Sequence, residues 1–120
     1  PDMVFDTSIL LLFFYHEEGY KKIQKMLESA SAGKVHIFGS EISLFETHYK
    51  FIRILGEKDA DIRLLTLTEL PILFFPVDQN ILKIAARFKA KGSISVADAI
   101  IAATAKIKGL QLIRVRLELC

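Results

Sequence analysis

The sequence predicts an α/β protein, a three-layer α/β/α sandwich around a central parallel sheet of four to five strands. Short apolar segments alternate with amphipathic segments of helical length, a pattern typical of strands joined by right-handed helical crossovers. The 120 residues are 52% hydrophobic, so a single domain over residues 1–120 can bury its own core. The most apolar run, Ile9 to Tyr15, is much shorter than the roughly 20 residues of a membrane span. We therefore expect no membrane association.

The first half of the chain begins with two elements that meet at an acidic residue. Met3–Phe5 is a short apolar run that predicts a strand, and Thr7 opens a helix that runs to about His16. The spacing of apolar residues predicts an amphipathic helix over 20–32, and a second strand follows over 35–38.

Helices and strands continue to alternate through the rest of the chain. An apolar stripe predicts a long helix over 41–55, and prolines bracket a strand over 72–75. The members of the stripe are Ile42, Phe45, Tyr49 and Ile52. The other predicted elements are, in order, a helix over 58–70, a helix over 78–90, an alanine-rich helix over 95–108 and a strand over 111–115. Four strands separated by helices therefore account for the predicted sheet.

Charge is unevenly distributed along the chain. Residues 1–78 carry 8 Lys/Arg and 12 Asp/Glu, whereas residues 79–120 carry 8 Lys/Arg and 2 acidic residues. The basic C-terminal third favours a polyanionic partner only weakly, because a solvated helix face has the same composition. The single cysteine, Cys120, excludes an intramolecular disulfide and a thiolate metal cluster. No leader pattern opens the sequence, so we expect a cytoplasmic protein.

Three acidic residues each have a structural interpretation as helix caps. Asp6 stands between a strand and a helix, where its side chain can accept hydrogen bonds from first-turn amides. Ser43–Glu46 and Ser95–Asp98 both match the capping-box spacing. Taken one at a time, the three acids need no functional explanation.

The surroundings of the same acids favour a joint role. Asp6 follows a strand, and parallel sheets bind ligands at the carboxyl ends of their strands. Glu46 borders the apolar stripe of its helix, and Asp98 lies beside Ile94 and Ile101, so we expect Asp98 to be partly buried. A carboxylate in that setting needs a counter-charge. Mg²⁺ binds through a few carboxylates and accepts phosphate oxygens, so we interpret the three acids as a metal site.

With the acids placed, the chain resembles a PIN domain, most closely the VapC-type toxins of toxin–antitoxin pairs. The resemblance covers nearly the whole chain and is strongest over Val4–Leu10, Ser43–Glu46 and Ser95–Ala105. It implies that Asp6, Glu46 and Asp98 are catalytic, metal-binding acids. It also implies Mg²⁺- or Mn²⁺-dependent hydrolysis of RNA phosphodiester bonds, inhibition by a cognate antitoxin protein, and assembly as a homodimer.

The C-terminal end departs from the family pattern. Relatives continue the last strand as Leu-Ile/Val-Thr-x-Asp, whereas this chain reads Leu112-Ile113-Arg114-Val115-Arg116. Arg116 stands where a fourth acid is expected, and a cation there should weaken metal affinity. We interpret this end of the chain as truncated or altered. The alternative function is therefore a catalytically weak or inactive PIN-like module that binds RNA or protein.

Other phosphate-processing proteins fit the sequence less well. A haloacid-dehalogenase-type phosphatase needs a second Asp two residues after the first, but that position is Ser8. A phosphoacceptor receiver domain needs paired acids after its first strand, and only Asp6 is there. Gly-rich phosphate loops and the common zinc-protease and serine-hydrolase motifs are absent. We interpret the three histidines, His16, His36 and His48, as surface residues or as residues satisfied by hydrogen bonds. The acidic residues Glu57, Asp59 and Asp61 are interpreted as solvated helix surface.

The first helix carries a prediction about partners, because residues 9–15 are apolar on every side. Either the helix is fully enclosed, or its outer side contacts a second protomer or an antitoxin helix. We favour the protein contact. The residues that bind substrate are not assigned by the sequence.

Overall fold

Four parallel strands form the middle layer of the molecule. The computed structural model describes residues 2–115. Its strands are β1 (Asp2–Phe5), β2 (His36–Ser40), β3 (Ile72–Phe75) and β4 (Gln111–Ile113). They are ordered β3-β2-β1-β4, and every neighbouring pair is parallel. The first strand in the sequence therefore lies beside the last strand of the described residues.

Six helices cover the two faces of the sheet within residues 2–115. They are α1 (Thr7–Phe14), α2 (Tyr20–Ser31), α3 (Glu41–Leu55), α4 (Glu57–Glu69), α5 (Gln79–Lys91) and α6 (Val96–Lys108). Side chains of β1 alternate between the faces, so Met3 and Phe5 pack with α1, α2 and α4. Val4 points the other way and packs against Ile101 of α6. The predicted α/β/α sandwich with a parallel sheet is confirmed.

Strand β2 ends two residues later than predicted, because it contains a glycine that fits against the neighbouring strand. Gly39 pairs with Phe74 of β3, and a Cβ atom at Gly39 would lie 2.7 Å from Phe74 Cε1. The strand continues to Ser40, whose hydroxyl accepts a hydrogen bond from Ile42 N at 3.2 Å. Ser40 is therefore the residue at which the sheet ends and α3 begins.

The buried face of α3 differs from the predicted apolar stripe. Ser43, Thr47 and Phe51 are fully buried, whereas Phe45 is 65% exposed. The hydroxyl of Thr7 donates a 2.9 Å hydrogen bond to Ser43 Oγ, which allows a polar residue to pack inside. The most buried side of α3 is therefore formed by Ser43, Thr47 and Phe51, although Ile42 of the predicted stripe also packs against the core.

Helix α1 is neither fully enclosed nor fully exposed. Ile9 and Leu10 are buried, and residues 11–14 are half-buried. The helix ends at Phe14, shortly before His16, which has a φ of +50°. The fully enclosed alternative is thus wrong, and contact with a second protein stays a prediction. None of the helices within residues 2–115 is long and apolar enough to span a membrane.

Two sequence interpretations concern residues outside the described range. Arg116, which stands where relatives have a fourth acid, and Cys120 both lie beyond residue 115.

Candidate functional site

Asp6 lies at the carboxyl end of β1 and begins α1. It is 8% exposed, and its Oδ2 accepts hydrogen bonds from Ser8 N at 3.3 Å and from Ser8 Oγ at 2.7 Å. The predicted N-cap role is confirmed by this contact with the first turn of the helix. No hydrogen-bond donor among residues 2–115 contacts the other carboxylate oxygen, Oδ1. The Asp6 side chain also lines the cavity described below.

The end of β4 fixes the same turn from the other side. Asp6 N donates to Ile113 O at 2.9 Å, and Val115 N donates to Ser8 Oγ at 3.1 Å. Because Ser8 Oγ accepts from Val115, its own proton goes to Asp6 Oδ2. The Asp6 carboxylate is therefore held by a short chain of hydrogen bonds that starts at Val115, just after β4.

Glu46 and Asp98 approach the end of β1 from two different helices. Glu46 is half-buried on α3, and Asp98 is exposed in the first turn of α6. The expectation that Asp98 is partly buried is therefore wrong. Asp98 and Ala102 of α6, together with Ile94 just before the helix, face a cavity, whereas Ile101 packs against the sheet.

The helix-cap interpretations of these two acids have different outcomes. Ser95 caps α6, with its Oγ accepting from Asp98 N at 3.1 Å, as predicted. The Ser43–Glu46 capping box is wrong, because Ser40 caps α3 and Ser43 lies one turn inside the helix. The position of Glu46 is therefore not explained by capping.

All three acids line one open cavity of about 700 Å³ beyond the carboxyl ends of β1 and β4. Three hydroxyl residues and two cations share its wall. The polar and charged lining residues are Asp6, Thr7, Ser8, Glu46, Lys50, Ser95, Asp98 and Arg114. The position agrees with the general location of ligand sites in parallel α/β sheets.

The three carboxylates have no salt-bridge partner within residues 2–115. The ion pairs of this part of the chain join His36 to Asp2 and His48 to Asp61, both away from the cavity. Carboxylate oxygens are the ligands that Mg²⁺ and Mn²⁺ prefer, so the donor chemistry fits a divalent cation. The described residues nevertheless contain no group of three His, Cys, Asp or Glu side chains close enough to share a metal. An ion bound here would take one or two carboxylates and complete its shell with water, as Mg²⁺ commonly does.

Lys50 and Ser8 were not recognised from the sequence as part of the cavity. Lys50 follows Glu46 by one helical turn, and this spacing places both on one side of α3. Ser8 follows Asp6 by two residues, the spacing at which a hydroxyl bonds back to a capping carboxylate. The residues that the sequence assigned to the surface lie outside the cavity. None of the three histidines lines it, and Glu57, Asp59 and Asp61 are exposed.

Comparison with known proteins identifies relatives by sequence profile and by fold. The profile of the PIN domain matches residues 3–116. No curated protein matches the chain at a significant level. Among solved structures, VapC20 of Mycobacterium tuberculosis, described as a sarcin–ricin loop cleaving toxin, aligns with a TM-score of 0.73 and 18% identity over 95% of this chain and 89% of that one.

Two further structures have the same fold. VapBC2 of Rickettsia felis, bound to a DNA fragment from its promoter, has a TM-score of 0.70 and 16% identity over 93% of this chain and 86% of that one. A toxin–antitoxin complex from Klebsiella pneumoniae has a TM-score of 0.66 and 22% identity, covering 92% and 82%. At these identities the likeness establishes the fold.

Proposed function

Because the chain belongs to the PIN domain family, we propose that it is a Mg²⁺- or Mn²⁺-dependent endoribonuclease and the toxin of a toxin–antitoxin pair. The proposal is carried by Asp6, the only charged side chain that is buried among residues 2–115. No cationic side chain of this part of the chain lies within 4.0 Å of it. A buried carboxylate without a protein counter-charge is costly, and a divalent cation offsets that cost.

Each side chain of the cavity has a distinct task in this proposal. Asp6, Glu46 and Asp98 would hold the cation, one or two of them directly and the remainder through its bound waters, and Ser8 fixes the Asp6 carboxylate by its hydrogen bond to Oδ2. Glu46 and Asp98 stand on α3 and α6, so a phosphodiester would enter between the two helices. When bound, the cation supplies Lewis acidity towards water and towards the phosphate oxygens.

We further propose that an antitoxin protein and a second protomer bind this chain in the cytoplasm. The Klebsiella pneumoniae structure of the same fold is described as a toxin–antitoxin complex, which supports the first partner. Helices α3 and α4 expose Ile54, Ile62 and Leu65, and α1 leaves residues 11–14 half-buried. Apolar surface of this kind favours protein contacts. Light scattering that gives a monomer at high protein concentration would count against the homodimer.

The ribonuclease proposal is tested by cleavage of single-stranded RNA with Mn²⁺, with Mg²⁺ and with EDTA. We expect cleavage by the wild type with either metal, and a loss of at least about 100-fold in Asp6→Asn and Asp98→Asn, because even indirect ligand supports cost 10–100-fold. Asn caps helices as well as Asp does, so Asp6→Asn keeps the start of α1. Asp59→Asn, on the exposed surface of α4, is the matched control and should cleave like the wild type.

A second measurement reads metal binding without cleavage. Mn²⁺ at about 100 times its dissociation constant should stabilise the wild type against unfolding by about 2.7 kcal/mol. The same Mn²⁺ concentration should stabilise Asp6→Asn much less. Equal cleavage by wild type, Asp6→Asn and Asp98→Asn, with equal Mn²⁺ stabilisation, would show that these acids do not form the site.

The alternative function is a PIN-like module that binds RNA or protein without cleaving it. It is favoured by Arg116, which stands where relatives have a fourth acid, and by Arg114, a cation on the wall of the cavity that the three acids line. RNA binding by the wild type without cleavage in any metal would support this module and reject the nuclease.

A further inference from the structure

Two cations share the cavity with the three acids. Arg114 follows β4 and is exposed, and Lys50 is half-buried on α3, one turn after Glu46. Neither forms an ion pair within 4.0 Å with any acid of residues 2–115. Their donor groups are therefore not consumed by the carboxylates that face the same space.

Arg114 is held beside Asp6 by its backbone. The parallel register runs from Met3 opposite Gln111 to Phe5 opposite Ile113, so Asp6 and Arg114 follow as the next neighbours on one face of the sheet. Hydrogen bonds from Asp6 N to Ile113 O and from Val115 N to Ser8 Oγ fix the residues on both sides of Arg114. The backbone that carries the Arg114 side chain is thus fixed at the edge of the cavity.

The charge balance of the cavity explains why a polyanion needs these two residues. Three carboxylates repel a phosphodiester, and in an open cavity this repulsion is reduced but not removed by solvent. Arginine offers a planar fork that matches two phosphate oxygens, and lysine offers a compact point charge. One of each stands on the cavity wall.

We propose that Arg114 and Lys50 bind the phosphate backbone of single-stranded RNA on two sides of the acids, so that the chain holds its substrate without a metal. The proposal rests on the proposed ribonuclease function and assigns the substrate-binding residues of the same cavity. Arg114 receives the phosphate next to Asp6, and Lys50 receives a neighbouring phosphate along α3. Metal binding and RNA binding are then separate properties of one site.

The test is the salt dependence of RNA binding in EDTA, measured by fluorescence anisotropy with a short end-labelled single-stranded RNA. Each phosphate contact contributes about 0.7 to the slope of log K against log salt concentration for a single strand. Arg114→Gln and Lys50→Gln should each lower the slope by about 0.7, and the double variant by about 1.4. Arg114→Lys keeps the charge and should keep the slope. Lys25→Gln, on the exposed surface of α2 and outside the cavity wall, should bind like the wild type.

A purely structural role of these cations gives a different result. If Arg114 served only as a counter-ion for Asp6, Arg114→Gln would unfold more easily and still bind RNA with the wild-type slope. A wild-type slope in both Arg114→Gln and Lys50→Gln, in proteins whose thermal unfolding matches the wild type, overturns the proposal.

The two proposals fail separately. If Asp6→Asn loses cleavage while Arg114→Gln and Lys50→Gln bind RNA with the wild-type slope, the ribonuclease stands and the phosphate contacts are wrong. If the wild type cleaves nothing while both variants lower the slope, the phosphate contacts stand and the ribonuclease is rejected.

Discussion

Replacement of Ser8 by alanine tests whether the hydrogen bonds around Asp6 hold that carboxylate in a working orientation. Ser8→Ala removes the 2.7 Å bond from Oγ to Asp6 Oδ2 and the acceptor of the 3.1 Å bond from Val115 N. The first is a charge-assisted bond to a buried carboxylate and carries most of the cost. The second involves an exposed amide, which water can satisfy. We expect a loss of about 1–2 kcal/mol in the free energy of unfolding.

The loss corresponds to a fall in Tm of about 3–6 °C per kcal/mol for a domain of this size. Because Ser8 orients the proposed metal ligand, the Mn²⁺ concentration for half-maximal stabilisation should also rise about 10–100-fold. Urea unfolding with and without Mn²⁺ measures both quantities. Thr68→Ala, which removes an exposed hydroxyl bonded to Leu65 O at 2.9 Å, is the control and should change neither. A Ser8→Ala protein with wild-type stability and wild-type Mn²⁺ dependence would refute the reasoning.

Two further substitutions test the packing that places α3 beside the cavity, and urea unfolding measures both. Gly39→Ala should lose about 1–3 kcal/mol, because its Cβ would lie 2.7 Å from Phe74 Cε1. Gly92→Ala, with extended backbone and no atom within 4 Å, should be unchanged or up to about 1 kcal/mol more stable, and equal losses at the two glycines would contradict the packing argument. Thr47→Val should raise stability by about 1 kcal/mol or more, because Thr47 Oγ1 is buried and has no hydrogen-bond partner within residues 2–115. Destabilisation by Thr47→Val, with no change in exposed Thr68→Val, would mean that this hydroxyl is satisfied in solution.

The sequence predicted the order of strands and helices because each element carries its own local signal. Glycine, proline and capping residues mark the ends, and the observed bounds of β3 (Ile72–Phe75) and α3 (Glu41–Leu55) equal the predicted ones. Strand β2 was placed too early because its last residues depend on the contact between Gly39 and Phe74, which joins positions far apart in the sequence. Contacts between elements decide such boundaries.

Long-range contacts also explain what the sequence missed at the cavity. The three acids predicted from the sequence line one cavity, and their grouping as a metal site stays a prediction. The buried polar face of α3 depends on the bond between Thr7 and Ser43, a pairing of two hydroxyls that no periodicity reveals. Asp98 was expected to be covered because its helix is apolar, but a cavity leaves its first turn open.

The pairing of β1 with β4 has a consequence for the timing of protein synthesis. The residues that follow β1 line the cavity beside Arg114 and Val115, which leave the ribosome more than a hundred residues later. A nascent chain that ends anywhere before β4 lacks the strand that fixes the Asp6–Ser8 turn. The cavity is therefore among the last parts of the fold to be completed during translation. The site is therefore not complete until synthesis has passed Val115.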